Sequence, residues 1–371
     1  MHKISTIGLD LAKSVFQVHG VDAAGKIVTA KALRRGQMIA YFTKLEPCLI
    51  GMEACGTAHH WARTLIELGH TVRLIPPAYV KPYVRRGKND AADAAAICEA
   101  VTRPSMRFVA VKTVEQQGLL MAHRARDLLI GQRTQIVNAL RGHLAELGLV
   151  AAKGREGMAT LIAIVRGETD TADTALPGRV RAALRPLIAQ LEAVAEQVGA
   201  LEKSIHAEHR ANAVSRRLEA IPGIGVFSAT ALAATITDPA AFKSGRDLAA
   251  WIGLVPRQNS SGGKERLGSI SKQGDRTLRR LLVQGAASVV RAAGARPDKY
   301  PWLVQLLARR PAKVAIVALA NKMARIAWAV LCRGETYRAP ALAAAGAAAS
   351  PGPCTAAPVA HASKRGLARG A

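Results

Sequence analysis

The chain has 371 residues, enough for two or three domains with substantial cores, and half of them are hydrophobic. It carries 52 Lys and Arg against 26 Asp and Glu, a formal net charge of +26. A chain this basic repels itself and calls for a polyanionic partner, nucleic acid first, whether as an enzyme or as an architectural binder. The five cysteines form no C-x-x-C pair, which excludes a zinc ribbon and a disulfide framework.

In chain order, MHKISTIGLDLAK runs into a strand pattern with no signal peptide, and no apolar run approaches a membrane span. The expectation is a cytoplasmic protein with no membrane partner. Ile4 to Leu9, Ser14 to Val21 and Lys26 to Leu33 are β-prone runs joined by turns, one at Asp22-Ala-Ala-Gly25. Helical spacing follows over Gln37 to Leu45 and Ala58 to Leu68, with strand patterns over Cys48 to Glu53 and Thr71 to Ile75. A meander followed by alternating helix and strand predicts a mixed α/β sheet in a ribonuclease H-like order.

Such a sheet exposes four carboxylates. Asp10 ends the first strand, Glu53 ends the fourth, and Asp90 and Asp93 share a face at the start of a predicted helix, Asn89 to Ala100. Gathered carboxylates stay ionised only with cations between them, and hard oxygen donors suit Mg²⁺ or Mn²⁺. Taken singly, Asp90 is as readily a helix cap and Asp10 a turn residue. Arg85, Arg86 and Lys88 precede Asp90, as phosphate contacts or as a solvated loop.

Val114 to about Gly148 is helix-friendly, and a looser stretch containing Gly and Thr follows. Pro186 opens a cleaner pattern: Leu187, Leu191, Val194, Val198, Leu201 and Ile205 are spaced as a heptad seam. The two helices can pair within one chain or between chains, and the seam's need for a partner favours self-association. Ile221-Pro-Gly-Ile-Gly225 joins two helical segments. Its form is that of a helix-hairpin-helix turn, whose backbone at Gly223 and Gly225 can hold a phosphate or merely pack.

Asn259 to Gly274 reads NSSGGKERLGSISKQG, with four serines, four glycines and three basic residues. It is too polar for a core element and too glycine-rich for a stable helix. Glycines allow close approach, hydroxyls are potential nucleophiles, and Lys264, Arg266 and Lys272 attract phosphate. A helix from Asp275 to Ala293 adds Arg276, Arg279 and Arg280 in its first turns, and Pro311 to Arg333 is another. Between Lys243 and Arg338, 19 Lys and Arg face 5 Asp and Glu, a local net of +14. The segment 339–371 is rich in Ala, Gly and Pro and is expected to be disordered.

These pieces together resemble the DEDD transposases of bacterial insertion sequences, a group that includes bridge-RNA-guided recombinases. The matching stretches are IGLDLAK at Asp10, GMEACGT at Glu53, KNDAADA at Asp90 and Asp93, IPGIG at Ile221, and GLVPRQNSSGGKERLGSISKQGD. The resemblance implies an α/β plus α architecture. A RuvC-like, ribonuclease H-fold domain (1–112) would hold Mg²⁺ on Asp10, Glu53, Asp90 and Asp93. A helical coiled-coil region (113–210) and a mainly helical transposase domain (211–338) would follow. It places a serine nucleophile on Ser261, with Ser260 adjoining it. It further implies donor and target DNA, a noncoding bridge RNA, and an oligomer from dimer to tetramer. In such an oligomer the acidic site of one subunit would complete the serine site of another.

One argument for that composite site is independent of the resemblance. A serine needs a base or a metal to attack, and no histidine lies between His209 and His361. The leading expectation is therefore a DNA recombinase that forms a serine–DNA phosphoester with metal assistance. Two other readings stand beside it: a metal-only junction-resolving nuclease, and a non-catalytic nucleic-acid-binding protein.

Overall fold

A computed structural model describes residues 3–84, 89–169 and 175–338. Arg85, Arg86, Lys88 and the tail from Ala339 lie outside the described residues. The chain forms two compact units. One holds the described residues up to Gln117 together with Ile236–Lys243, and the other holds the described residues of Gly118–Thr235 and those from Ser244 to Arg338.

The first unit opens with the meander β1 (Thr6–Leu11), β2 (Val15–Val21) and β3 (Ile27–Arg34). The β2–β3 turn is fixed by Asp22, whose Oδ1 accepts from the backbone N–H groups of Ala24 and Lys26, both at 2.9 Å. Then come α1 (Met38–Thr43), β4 (Leu49–Glu53), α2 (Ala58–Glu67), β5 (Thr71–Ile75), α3 (Pro77–Val80) and α4 (Asp90–Val101). The sheet order is β3-β2-β1-β4-β5. β2 is antiparallel to both its neighbours, and β4 is parallel to β1 and β5. That is the ribonuclease H-like order expected from the sequence.

β2 alternates as a half-buried strand does, whereas β1 and β4 are buried along most of their length. Phe16 and Val18 of β2 turn into the core with Ile7, Leu9, Ile50 and Met52, and Trp61 of α2 meets Phe16 edge to face at 5.3 Å. After α4 the chain returns along β5, where Val109 donates its backbone N–H to Leu74 O at 2.8 Å and so covers that sheet edge.

The second unit begins with three helices, α5 (Val114–Ala145, whose first turn precedes the boundary), α6 (Arg155–Arg166) and α7 (Gly178–Ala211). Leu140, Leu144, Leu161, Val165, Leu184, Leu191 and Val194 make their common core. This corrects two expectations. The looser stretch contains α6, and α7 starts at Gly178 with Pro186 inside it. The heptad seam is filled within the chain: Leu191, Val194, Val198 and Ile205 are all buried there. A coiled coil between chains is not needed to cover it.

The rest of the unit comprises α8 (Ala213–Glu219), α9 (Val226–Thr235), α10 (Gly245–Trp251), β6 (Pro256–Gln258), β7 (Leu267–Ile270), α11 (Arg276–Ala293), α12 (Pro301–Arg309) and α13 (Ala312–Arg333). α8, α10, α11 and α12 pack on α13. With 22 residues and a mean hydropathy of 1.6 in its most apolar window, α13 is long and apolar enough for a membrane span by length and composition, although Lys313, Asn321, Lys322 and Arg325 interrupt its apolar run. One face of it, including Met323, Ala327 and Trp328, is buried against the neighbouring helices, while Val314 is exposed.

Candidate active site

The sheet and α4 bring the four predicted carboxylates into one another's electrostatic field. Asp10 sits at the C-terminal end of β1 and Glu53 is the last residue of β4, both half-buried. α4 lies close on the sheet because β1 and β4 carry glycine beneath it. A Cβ on Gly8 would come within 2.0 Å of Ala94 O, and one on Gly51 within 2.7 Å of Val101 Cβ. The helix N-terminus is capped by Asn89, whose side chain accepts from Ala91 N at 3.0 Å. Asp90 is therefore not the cap, and its carboxylate is not used in that way.

Burial first, and then the charges of Asp93 and Asp90, push the Asp10 carboxyl above the ordinary carboxylate range. Burial, followed by the charges of Asp10 and Asp93, does the same to Glu53. The donor chemistry, four hard oxygen groups repelling one another, fits a divalent cation. Among the described residues no three potential ligands converge tightly enough to enclose an ion as they stand. The chemistry of the set fits a metal, and its closed coordination geometry is not formed. His59, on α2 just after Glu53, is turned elsewhere and accepts from Lys112 N at 3.2 Å.

The serine stretch is a β-hairpin. β6 and β7 pair antiparallel, Pro256 with Ile270 and Gln258 with Leu267, and Asn259 N donates to Arg266 O at 2.9 Å. At the tip Gly262 and Gly263 have φ of +57° and +75°, and Lys264 N donates to Ser261 O at 3.1 Å. That is a two-residue turn with both central residues left-handed, the geometry that a Gly-Gly pair suits. The two serines differ. Ser260 Oγ accepts from Arg266 N at 3.1 Å inside the hairpin, whereas Ser261 is exposed beside the turn.

The base of the hairpin is tightly held. A Cβ on Gly274 would lie 1.8 Å from Trp251 O, and Asn321 Nδ2 donates to Leu254 O at 3.2 Å. Arg279 donates to Ile252 O at 2.8 Å and Gln273 O at 2.7 Å. Ser215, on α8, has what Ser261 lacks. Its Oγ is 2.8 Å from His209 Nδ1, and His209 Nε2 is 2.9 Å from Glu219 Oε2. Ser215 is fully buried, so this chain of groups ties α7 to α8 and is closed to substrate.

The predicted phosphate contacts divide. Lys264, Arg266, Lys272 and Arg276 are exposed on or beside the hairpin. Arg257 on β6 belongs with them, although nothing in the sequence marks so short a strand. Arg279 has the internal partners just described, and Arg280 forms an ion pair with Asp127 of α5. In the Ile221–Gly225 turn, Gly223 has φ of +89° and its Cβ would meet Met323 Cε at 2.9 Å and Gly285 O at 3.0 Å. Packing alone accounts for that glycine, while Gly225 faces open space.

Residues 7–148, which include all four carboxylates, match the family model for DEDD transposases of the IS110 type, described as transposase. Residues 215–301, which include Ser261, match the model described as transposase IS116/IS110/IS902 family. A probable family 20 transposase of Pseudomonas aeruginosa is 51% identical over 336 residues, 90% of this chain and 99% of that protein. The transposase for insertion sequence element IS1111A of Coxiella burnetii is 42% identical over 339 residues, covering 91% and 92%. The transposase for insertion sequence element IS1328 of Yersinia enterocolitica is 37% identical over 338 residues, covering 91% and 99%. With identity at this level over nearly the full length of each protein, the chain belongs to the IS116/IS110/IS902 family of transposases.

Proposed function

We propose that the chain moves an insertion element by cutting and rejoining DNA strands. In this reading Ser261 is the attacking group and Mg²⁺ or Mn²⁺ is held by Asp10, Glu53, Asp90 and Asp93. The observation that carries it is the placing of Asp10 and Glu53 at the C-terminal ends of the paired parallel strands β1 and β4, with α4 packed on both through Gly8 and Gly51, in a chain of a transposase family. The exposed Ser261 hydroxyl beside a Gly-Gly turn supports the choice of nucleophile over Ser260.

Ser261 Oγ attacks a backbone phosphorus and gives up its proton, the bridging P–O bond breaks, and the departing DNA oxygen leaves as a hydroxyl. Attack by a hydroxyl of another strand reverses these changes, releases the serine and joins the strands. One phosphate ester is exchanged for another, so no energy-supplying co-reactant is required. Asp10, Glu53, Asp90 and Asp93 would hold the divalent cation, which when bound would supply neutralisation of the charge building on the phosphate oxygens. The hairpin has no histidine, its one carboxylate is the exposed Glu265, and the acidic set is the proposed source of help in moving the serine proton. In an oligomer, dimer to tetramer, the acidic site of one subunit can serve the serine of another.

Lys264, Arg266, Lys272 and Arg276 hold phosphates around Ser261, and Arg85, Arg86 and Lys88, which precede Asp90 in the sequence, are further proposed phosphate contacts. The backbone at Gly223–Gly225 offers a further phosphate contact. A bridge RNA that pairs with donor and target DNA is the proposed guide. A defined RNA recovered from the purified protein and encoded beside its gene is the expected result, and its absence removes the guide from the reading.

The nucleophile is tested by incubating the protein with substrate DNA and Mg²⁺ and looking for a denaturant-resistant protein–DNA adduct. The adduct is expected from wild type and from Ser260→Ala, and is lost in Ser261→Ala. An adduct that persists in Ser261→Ala excludes this serine. Mg²⁺-dependent cutting that gives no adduct and survives loss of both serines favours the metal-only nuclease. Salt-sensitive binding with no cutting, indifferent to Asp10→Ala, favours the non-catalytic binder.

A further inference from the structure

The first unit has a second concave surface, away from its carboxylates. A cleft of about 770 Å³ lies between β5, the returning segment Pro104–Val111 and the segment Ile236–Lys243. Another of about 600 Å³ lies at the N-terminal ends of β1, β4 and β5, and Arg73 lines both. The carboxylates stand at the opposite ends of these strands. At the usual rise per residue, Leu49 to Glu53 along β4 is roughly 13 Å.

The chemistry of the surface is specific. Arg73 is exposed, and its guanidinium, planar in itself, lies over the ring of Phe108, 4.8 Å from the centroid, so a planar cation backed by an aromatic ring lines the cleft. Arg107 and Lys243 line the same cleft, and Lys3 lines the neighbouring one beside its partner Glu46. Asp238 is the acidic residue of the larger cleft, and its carboxylate is already accepting from Ala240 N at 3.0 Å.

A plate of this kind suits the bare face of a nucleobase, and flanking cations suit the phosphates on either side of it. A paired duplex offers no such face. A single small anion would leave unexplained why two clefts meet at one arginine. We infer that Arg73 and Phe108 are the stacking plate of a track for an unpaired nucleic-acid strand, in a cleft whose other lining cations are Arg107 and Lys243. The inference rests on nucleic acid being the partner, and it needs no step of the cutting chemistry. Either can therefore fail without the other.

The test is photo-cross-linking of full-length protein to short single strands, RNA carrying 4-thiouridine and DNA carrying 4-thiothymidine, with the same DNA as duplex for comparison. Cross-links are located by mass spectrometry. Single strands are expected to label the Pro104–Val111 peptide, and Arg73→Ala to lower that yield about tenfold, the scale on which removing one stacking partner weakens binding. Arg73→Lys keeps the charge without the plane and is expected to fall likewise, which separates stacking from charge and guards against misfolding of the alanine variant. Labelling by RNA alone, by DNA alone or by both supports the track and identifies its strand. The inference is overturned if neither strand labels the peptide, if the duplex labels it equally, or if both variants leave the yield unchanged.

Discussion

Asp10 is half-buried and in the field of Asp90 and Asp93, so its ionised form is disfavoured in the metal-free fold. Its folded carboxyl is raised above the unfolded value. The resulting penalty is fully present at neutral pH and is relieved as pH falls through the raised folded value. Asp10→Asn imitates that relief: melted in EDTA at pH 7.5, the variant is expected to be more stable than wild type while losing Mg²⁺-dependent activity. His123 shows the opposite case. It is buried on α5, 3.0 Å from Thr230 Oγ1, and burial pushes it down to about 4. The unfolded chain takes up this proton near the ordinary 6.5 and the folded chain only near 4, so stability is lost as pH falls between them, by about 3 kcal/mol. Urea melts between pH 7.5 and 5 should show the larger part of that loss, about 2 kcal/mol, and His123→Gln should flatten it. All four carboxylates are legible from strand ends and helix spacing. That Asn89 rather than Asp90 is the cap, and that Ser260 rather than Ser261 is engaged by Arg266 N, depends on backbone geometry that residue types do not carry.

α4 reaches the sheet only because glycine lies under it. Gly8→Ala would drive a methyl group into Ala94 O and Cys98 N, so the helix must lift and take Asp90 and Asp93 with it. The expected cost is about 1–3 kcal/mol of stability, together with loss of metal-dependent activity, measured by thermal melting and a cutting assay on the same preparation. The strands of this sheet are legible because short apolar and β-branched runs bounded by turn residues mark them, and most long helices because their apolar spacing is clean. α6 escapes a reading of the sequence because Gly154 and Gly167 flank it and look like loop, although here they are its caps. The hairpin is unreadable as strands. β6 and β7 have three and four residues, nearly all exposed, so no inward face alternates with an outward one. The seam on α7 is plainly apolar in the sequence but has no partner assigned there, since a heptad pattern is the same whether α5 and α6 or another chain fills it.

At the scale of the molecule, charge dominates. The net +26 includes +14 between Lys243 and Arg338, the stretch that carries the hairpin. Binding to DNA should weaken steeply with salt, and removing a side chain that neutralises one phosphate should make the log–log slope shallower by about 0.9. Replacing Lys264, Arg266, Lys272 and Arg276 one at a time and measuring that slope by fluorescence anisotropy would show which of them bind phosphate. Replacing Arg279, whose guanidinium is held on Ile252 O and Gln273 O, is expected to lower stability and leave the slope unchanged. Composition alone makes the polyanionic partner legible. The division into units is not, because no local signal shows a distant segment returning.

That return has a genetic consequence. Residues Ile236–Lys243 belong with the first unit although the chain on both sides of them belongs to the second. A single crossover in the gene near the codon of Gly118 would therefore join an N-terminal unit to an Ile236–Lys243 segment from a different parent. The hybrid would carry a mismatched wall around Arg73 even if each parental core were intact. The two units should be inherited as a pair, and chimaeras between relatives should work only when that segment travels with its own sheet.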